Sequence, residues 1–156
     1  MTRQQEEMTR LGLLGLAPFA FGAAAMWTSP LIVPQWAALN IHTLVLSYGG
    51  IIAAYLAGAG AGAGLRSHAP ASVLPGMIAT LAAWFAIWPA GFLTISVPSV
   101  QRYLILITVF VWILMRDLRA ASDFPSWYGA LRARLTFWAC ISLILIMARL
   151  LSWGHF

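Results

Sequence analysis

The side chains that could do chemistry are few and widely separated in this sequence. There are three histidines, one cysteine and four acidic residues, and all nine basic residues are arginine. Hydrolytic catalysis normally needs a carboxylate pair, a metal cluster or a nucleophile with its base. His42, His68 and His155 lie too far apart to suggest a metal site or a pair of haem ligands. We therefore predict no catalytic residue, no bound metal and no cofactor.

One polar stripe could bind a small ligand. Asn40, Thr43 and Ser47 recur at helical spacing, and His42 lies beside them. Amide, hydroxyl and imidazole groups together could line a ligand site. The alternative is that these groups hydrogen-bond within a helix bundle, and for His42 we favour this structural role.

Charge and aromatic residues coincide in the segment 116–134, which holds four of the nine arginines and two of the four acids. One interpretation is a strip that faces anionic lipid headgroups, and we favour it. The other is a surface that docks a partner protein. The residues concerned are Arg116, Arg119, Trp127, Tyr128, Arg132 and Arg134.

For Arg132 itself we favour a fixed contact over contact with lipid headgroups alone. It lies about two helical turns beyond Asp123, which can cap the helix that Pro125 opens. We expect a bidentate contact from Arg132 to Asp123 or to a carboxylate on a partner. Lysine cannot reproduce such a contact, so it should replace Arg116 without loss but not Arg132.

The composition requires lipid around most of the chain. Of the 156 residues, 62% are hydrophobic and 8% are charged, whereas about a quarter are charged in a soluble domain. A soluble fold of this size could not bury that much apolar surface. The net charge of +5 is spread along the chain beside apolar runs, which is typical of membrane orientation rather than nucleic-acid binding.

Five apolar runs predict an all-α integral membrane protein, a single domain over residues 1–156. The polar start before the first run resembles a signal peptide, but four more apolar runs follow, so we interpret it as the first span. Short polar or proline-containing stretches separate the runs. The predicted spans are 11–27, 36–58, 71–89, 98–115 and 133–153.

Arginine counting predicts the orientation. With five spans, one side receives seven arginines and the other receives only Arg102 and Arg149, which should extend to the headgroups. The positive-inside rule then places the N-terminus inside and the C-terminus outside. No Asp, Glu or Lys lies within a predicted span, whereas ion-coupled transporters usually place a carboxylate near the midplane.

The second span has a face of small residues that predicts close helix packing. Gly50, Ala54 and Gly58 continue the stripe that begins at Asn40, and small residues let membrane helices approach closely. The glycine-alanine run 57–64 lacks the strand and the Lys-Ser/Thr of a phosphate loop. It is either the packed end of this helix or a flexible exit from it.

Three short motifs resemble an uncharacterised family, domain of unknown function 3429, which includes transmembrane protein sixty-nine. They are Trp-Tyr-x-x-Leu-Arg-x-x-Leu-Thr at 127–136, the opening Leu-Gly-Leu-Leu-Gly-Leu-Ala-Pro-Phe at 11–19, and Leu-Ser-Tyr-Gly-Gly at 46–50. The resemblance implies a five-span membrane protein and no particular reaction. Residues 52–55, Ile-Ala-Ala-Tyr, depart from the family's basic or histidine residue followed by Trp-Gly, so a function carried there could be altered.

Two functions of different classes fit these observations. The first is an interaction or assembly subunit of a membrane protein complex, in contact with the bilayer and with other membrane proteins or a second copy. The second is binding or transport of an apolar small molecule such as a lipid, quinone or porphyrin. An enzyme is a weaker third interpretation. We expect a bacterial inner membrane, or the mitochondrial inner membrane if the source is eukaryotic.

Overall fold

Most of the described backbone of this chain is helical. The computed structural model describes residues 3–66, 73–87, 98–119 and 126–154. Within these ranges the protein has five helices, α1 Arg3–Thr28, α2 Gln35–Arg66, α3 Val73–Ala86, α4 Ser99–Arg119 and α5 Ser126–Ser152. An α-helix satisfies its backbone hydrogen bonds internally, as a chain in lipid must. The prediction of an all-helical protein is confirmed.

The helices are longer than the apolar runs that predicted them. α1 begins eight residues before the predicted span, and α5 continues without a break from Ser126 to Ser152. α2 includes the glycine-alanine run 57–64, so this run is part of the helix rather than a flexible exit from it. The predicted third span, 71–89, lies partly outside the described residues.

Four of the described helices are long and apolar enough to cross a bilayer, over Gln5–Thr28, Gln35–Gly62, Ser99–Arg119 and Trp127–Ser152. Between 28% and 33% of each most apolar window is buried within the chain, so most of these apolar side chains need lipid around them. The protein is therefore a multi-pass integral membrane protein. α3 has 14 residues and is about 21 Å long, less than the about 30 Å of the hydrocarbon core.

The helices form a closed ring. In order around the ring, α1 packs against α2, α2 against α3, α3 against α4, α4 against α5, and α5 against α1. α2 and α4 also touch each other across the ring. Each of the five helices therefore has one side toward the interior and another toward the surroundings.

Helical periodicity selects the side chains that fill the interior. On α4 the buried positions recur every three or four residues, and on α5 they do the same, as expected for one face of a helix. These two stripes are Tyr103, Leu106, Phe110 and Ile113 on α4, and Ala139, Leu143, Ile146 and Leu150 on α5. α2 and α3 instead contribute small residues, Ala53, Ala57, Ala79 and Ala83, and such residues let two membrane helices approach closely.

The contacts between helices define two ends of the ring. At one end, named here the Asp117 end, Arg116 of α4 contacts Ala57 of α2, and Gly12 of α1 lies against Leu135 of α5. At the other, the Arg102 end, Arg102 of α4 contacts Ala86 of α3. Arg149 of α5 contacts the end of α1 there.

Candidate functional site

A buried charge cluster lies at the Asp117 end. The two carboxylate oxygens of Asp117 accept hydrogen bonds from different arginines, Oδ1 from Arg116 Nη2 at 3.2 Å and Oδ2 from Arg132 Nε at 3.1 Å. The side chains of Asp117 and Arg132 are only 5% and 6% exposed, and that of Arg116 is 16% exposed. These three residues, named here the Asp117 cluster, join α4 to α5 inside the protein.

The residues of the Asp117 cluster that face the interior continue the buried stripes of α4 and α5. Asp117 follows Ile113 by four residues on α4, and all the buried positions of that stripe share one face. On α5, Arg132 and Thr136 precede Ala139 at the same three- and four-residue spacing. The apolar packing of both helices therefore turns Asp117 and Arg132 toward each other.

Arg116 reaches between α2 and α3 because those helices carry small residues. Its Nη2 donates to the carbonyl oxygen of Ala57 at 3.4 Å. A Cβ added to Gly60 would collide with the same nitrogen, and one added to Gly76 would lie 3.1 Å from Nη1. Glycine at these two positions leaves the space that the guanidinium group occupies.

The Asp117 cluster holds more positive than negative charge. Within the part of the chain that the structure describes, its two guanidinium groups face one carboxylate, so one positive charge is not compensated. Among the residues that the structure describes, Arg116 Nη1, Arg132 Nη2 and Thr136 Oγ1 are buried and have no hydrogen-bond partner. Buried polar groups are normally paired, because losing water without a new partner costs free energy.

The predicted surface over 116–134 is corrected in two respects. Arg116 and Arg132 are not part of an exposed strip on the surface, because both side chains are directed into the bundle. The acid that Arg132 contacts is Asp117, through Nε alone and not by the expected bidentate contact. Asp123 lies outside the described residues. Arg119 and Arg134 are exposed, as a headgroup-facing strip requires.

The two aromatic residues of the predicted strip, Trp127 and Tyr128, are half-buried, with their ring centroids 6.3 Å apart. Tyr128 lies close enough to Arg132 and Asp117 to interact with their charges. Whether any part of the strip contacts lipid or a partner stays a prediction.

A carboxylate follows the predicted fourth span within the same helix. Asp117 lies in the candidate span Ser99–Arg119 and is buried. The predicted fourth span ended at residue 115 because a run of charge follows it. The spacing of Asp117 could have indicated that it is buried. It continues the three- and four-residue spacing of Leu106, Phe110 and Ile113, which places it on the same helix face.

His42 lies at the Arg102 end and faces the interior. The hydroxyl of Tyr103 donates to the carbonyl oxygen of His42 at 2.9 Å, and the same hydroxyl lies 3.5 Å from His42 Nδ1. Both side chains are buried. These contacts join α2 to α4, which suits a structural role for His42.

The other three residues of the predicted ligand site face away from the interior. Asn40 and Thr43 are exposed and Ser47 is half-exposed. Each side chain donates to the backbone four residues earlier in its own helix, at Trp36, Leu39 and Thr43 respectively. The four predicted residues therefore do not line one common surface, and ligand binding by any of them stays a prediction.

The predicted packing face of α2 is closely packed at Gly50 and open at Gly58. A Cβ added to Gly50 would lie 2.5 Å from Ile87 Cγ2, so α3 packs closely there. Ala54 is half-buried. The prediction of close packing at Gly58 is wrong within the described chain, because a Cβ there would meet nothing within 4 Å. Gly58 points outward with Asn40, Thr43 and Ser47, whereas Gly50 lies at the edge of that face.

The two arginines at the Arg102 end bind the carbonyl ends of helices. Arg102 Nε donates at 2.8 Å to Ala86, the last residue of α3. Arg149 donates to Met26 and Ser29 at the end of α1 and stacks on the rings of Trp27 and Trp153. Such contacts satisfy carbonyl groups that have no partner within the helix. The expectation that Arg102 extends to the headgroups is wrong, because its side chain is buried.

Among the described residues no group of three or more His, Cys, Asp or Glu side chains is placed to hold a metal ion. The arrangement is thus a helical membrane bundle with a charge cluster at one end and two capping arginines at the other.

The fold and the charge cluster define a class, that of small multi-pass membrane proteins with a polar contact inside the bundle. A family model described as "Protein of unknown function (DUF3429)" matches residues 4–148, and the chain belongs to this family. The resemblance inferred from the three motifs is confirmed, while the link to transmembrane protein sixty-nine stays a prediction. Comparison with curated proteins and with solved structures finds no match.

Proposed function

We propose that this protein is an interaction or assembly subunit that binds another membrane protein, or a second copy of itself, through the outer face of α2. α2 turns both polar or small residues and large apolar residues, Leu44, Ile51 and Tyr55, away from the ring. The polar and small residues of that face are Asn40, Thr43, Ser47, Ala54, Gly58 and Gly62. One observation carries the proposal. The face combines polar and very small residues, yet no helix of the described chain covers Gly58 or Gly62.

Part of this face suits a protein neighbour. α2 exposes large apolar side chains to its surroundings, as the other helices do. Among them, however, it also presents an amide, two hydroxyls and two glycines spaced four residues apart. Small residues at this spacing let a second helix approach closely, and hydroxyl or amide groups can bond across the contact.

The proposed topology has five crossings with the N-terminus inside. α3 is short, but its start lies beside Ala57 and Arg116, and its end is bound by Arg102. It therefore leads from the Asp117 end to the Arg102 end, which supports a fifth crossing.

Most of the arginines lie at the Asp117 end of the bundle in this topology. Arg10, Arg119 and Arg134 belong to the segments at the Asp117 end, together with the Asp117 cluster. The positive-inside rule then orients the Asp117 end to the cytoplasmic side. A bacterial inner membrane is the setting that we propose.

The second function, binding or transport of an apolar small molecule, has less support. His42 contacts Tyr103, while Asn40, Thr43 and Ser47 point outward. A ligand pocket built from these residues would need a wall that the described helices do not provide. A partner helix bound to the outer face of α2 would supply that wall. Ligand binding at these residues would therefore require the protein interaction proposed above.

Substitution on the outer face of α2 tests the proposal. Gly58→Leu should reduce several-fold the amount of protein that co-purifies in mild detergent, because a leucine side chain fills the close approach. Ala59→Leu is the matched control, since Ala59 is exposed but lies on another side of α2. Both variants should keep the thermal stability of the wild-type chain. Undiminished co-purification with Gly58→Leu would contradict the proposal.

A further inference from the structure

We propose that the Asp117 cluster is a binding site for a phosphate oxyanion, either free phosphate or the headgroup of an anionic lipid. The Asp117 cluster lies in the interior of the bundle and is separate from the outer face of α2. Its described charges are unequal, two guanidinium groups and one carboxylate.

The carboxylate of Asp117 can neutralise only one of the two arginines. A buried charge costs several kcal/mol unless it is paired, and arginine does not lose its proton in proteins. A bound anion would compensate the remaining positive charge. Phosphate fits because arginine donors match its oxygens, singly or in pairs.

The donors for such an anion are present. Arg116 Nη1, Arg132 Nη2 and Thr136 Oγ1 are all buried and lack a partner among the described residues. Arg116 and Arg132 donate to the two oxygens of one carboxylate, so both guanidinium groups lie against Asp117. Thr136 lies one helical turn from Arg132 on the same buried face of α5.

The surroundings favour an anion over a cation. Arg119 and Arg134 are exposed at the same end of the bundle and add positive potential. Among the described residues the cluster has one carboxylate, that of Asp117, and two arginines already donate to it. The partly exposed side chain of Arg116 gives the side from which an anion reaches the cluster, with a shift of that flexible side chain.

The test measures thermal unfolding of the purified full chain in a maltoside detergent, which carries no phosphate. Inorganic phosphate is titrated at constant ionic strength against chloride, and phosphatidylglycerol is compared with phosphatidylcholine in a parallel series. A specific anion raises the unfolding temperature by on the order of 3 °C at saturation. A rise with phosphate indicates a free anion, and a rise with phosphatidylglycerol indicates a lipid headgroup.

Two variants make the result specific. Arg132→Gln should abolish the rise with either probe. Thr136→Val keeps the size of the side chain and removes a hydroxyl that has no partner, so it should fold as wild type and bind the anion several-fold more weakly. No rise with either probe, or an equal rise in wild type and Thr136→Val, would overturn the proposal.

Discussion

Asp117 is the residue on which the contacts at its end of the bundle depend. Its carboxylate holds arginines from α4 and α5 together, and one of them also reaches α2. A buried ion pair need not stabilise a protein more than apolar residues would, but removal of one partner leaves an uncompensated charge. Loss of the Asp117 carboxylate would therefore leave the charges of Arg116 and Arg132 without a charged partner in the described part of the protein.

Asp117→Asn should destabilise the chain strongly, because two guanidinium groups then remain buried without a carboxylate. The expected loss of unfolding free energy is about 3 kcal/mol, measured by denaturant titration in mixed micelles. Glu7→Gln is the control, since the Arg3–Glu7 pair is exposed and exposed pairs contribute ~0–1 kcal/mol. Equal effects of the two substitutions would show that the Asp117 contacts add no stability.

Arg132→Lys should lower the unfolding temperature, because lysine has no nitrogen at the position from which Arg132 Nε donates to Asp117. Arg134→Lys should leave it unchanged, since Arg134 is exposed. Arg116→Lys should also destabilise, contrary to what the sequence suggested, because Arg116 occupies the space beside Gly60 and Gly76. A thermal scan in which lysine is tolerated at position 132 as well as at 134 would count against a fixed contact.

At the residue scale, the sequence predicts a fixed contact of Arg132 with a carboxylate, from its place in the Trp-Tyr-x-x-Leu-Arg motif. It does not predict that the carboxylate belongs to Asp117. A charged run after an apolar one is normally the end of a span, and Asp117 was assigned to that end. Only the packing of α4 against α5, which is a tertiary property, shows that the interior stripe continues through Asp117.

At the scale of elements, α2 is the helix with two different sides. Toward α3 it is closely packed at Gly50, and away from the ring it is open at Gly58. Helical periodicity predicts both glycines on one face, because two steps of four residues separate Gly50 from Gly58. A helix has 3.6 residues per turn, so the face drifts around α2, and only the neighbours decide which glycine is covered.

Gly50→Leu should cost about 1–3 kcal/mol of stability through overpacking against Ile87 and the backbone of Ala83. Gly58→Leu should cost nothing measurable in the isolated chain. Thermal stability in detergent distinguishes the two. Loss of stability at position 58 with none at position 50 would reverse the assignment of the packed and open sides.

At the scale of the whole molecule, composition predicted most of the architecture, since apolar runs between short polar stretches leave few alternatives to a helical bundle. The arrangement of the helices in a ring was not predictable, because every helix is apolar on more than one side. The roles of Arg102 and Arg149 as caps for α3 and α1 follow from that arrangement.

The orientation can be measured with reporter fusions. We expect a fusion after Trp153 to report the opposite side of the membrane from a fusion before Arg3, since five crossings separate them. A fusion after Arg119 should report the same side as the one before Arg3. If the fusions after Trp153 and before Arg3 report one side, α3 does not cross and the topology has four spans.

The most direct test of the account is a photo-crosslinking residue placed at Gly58 in native membranes. The proposed interface predicts that it forms adducts with another polypeptide chain, whether a partner or a second copy. A crosslinker at Ile144 on α5, which is also exposed but lies on a face of large apolar residues, should react with lipid alone. Protein adducts from Gly58 and none from Ile144 are the expected result. Lipid adducts alone from both positions would contradict the claim that α2 binds another protein.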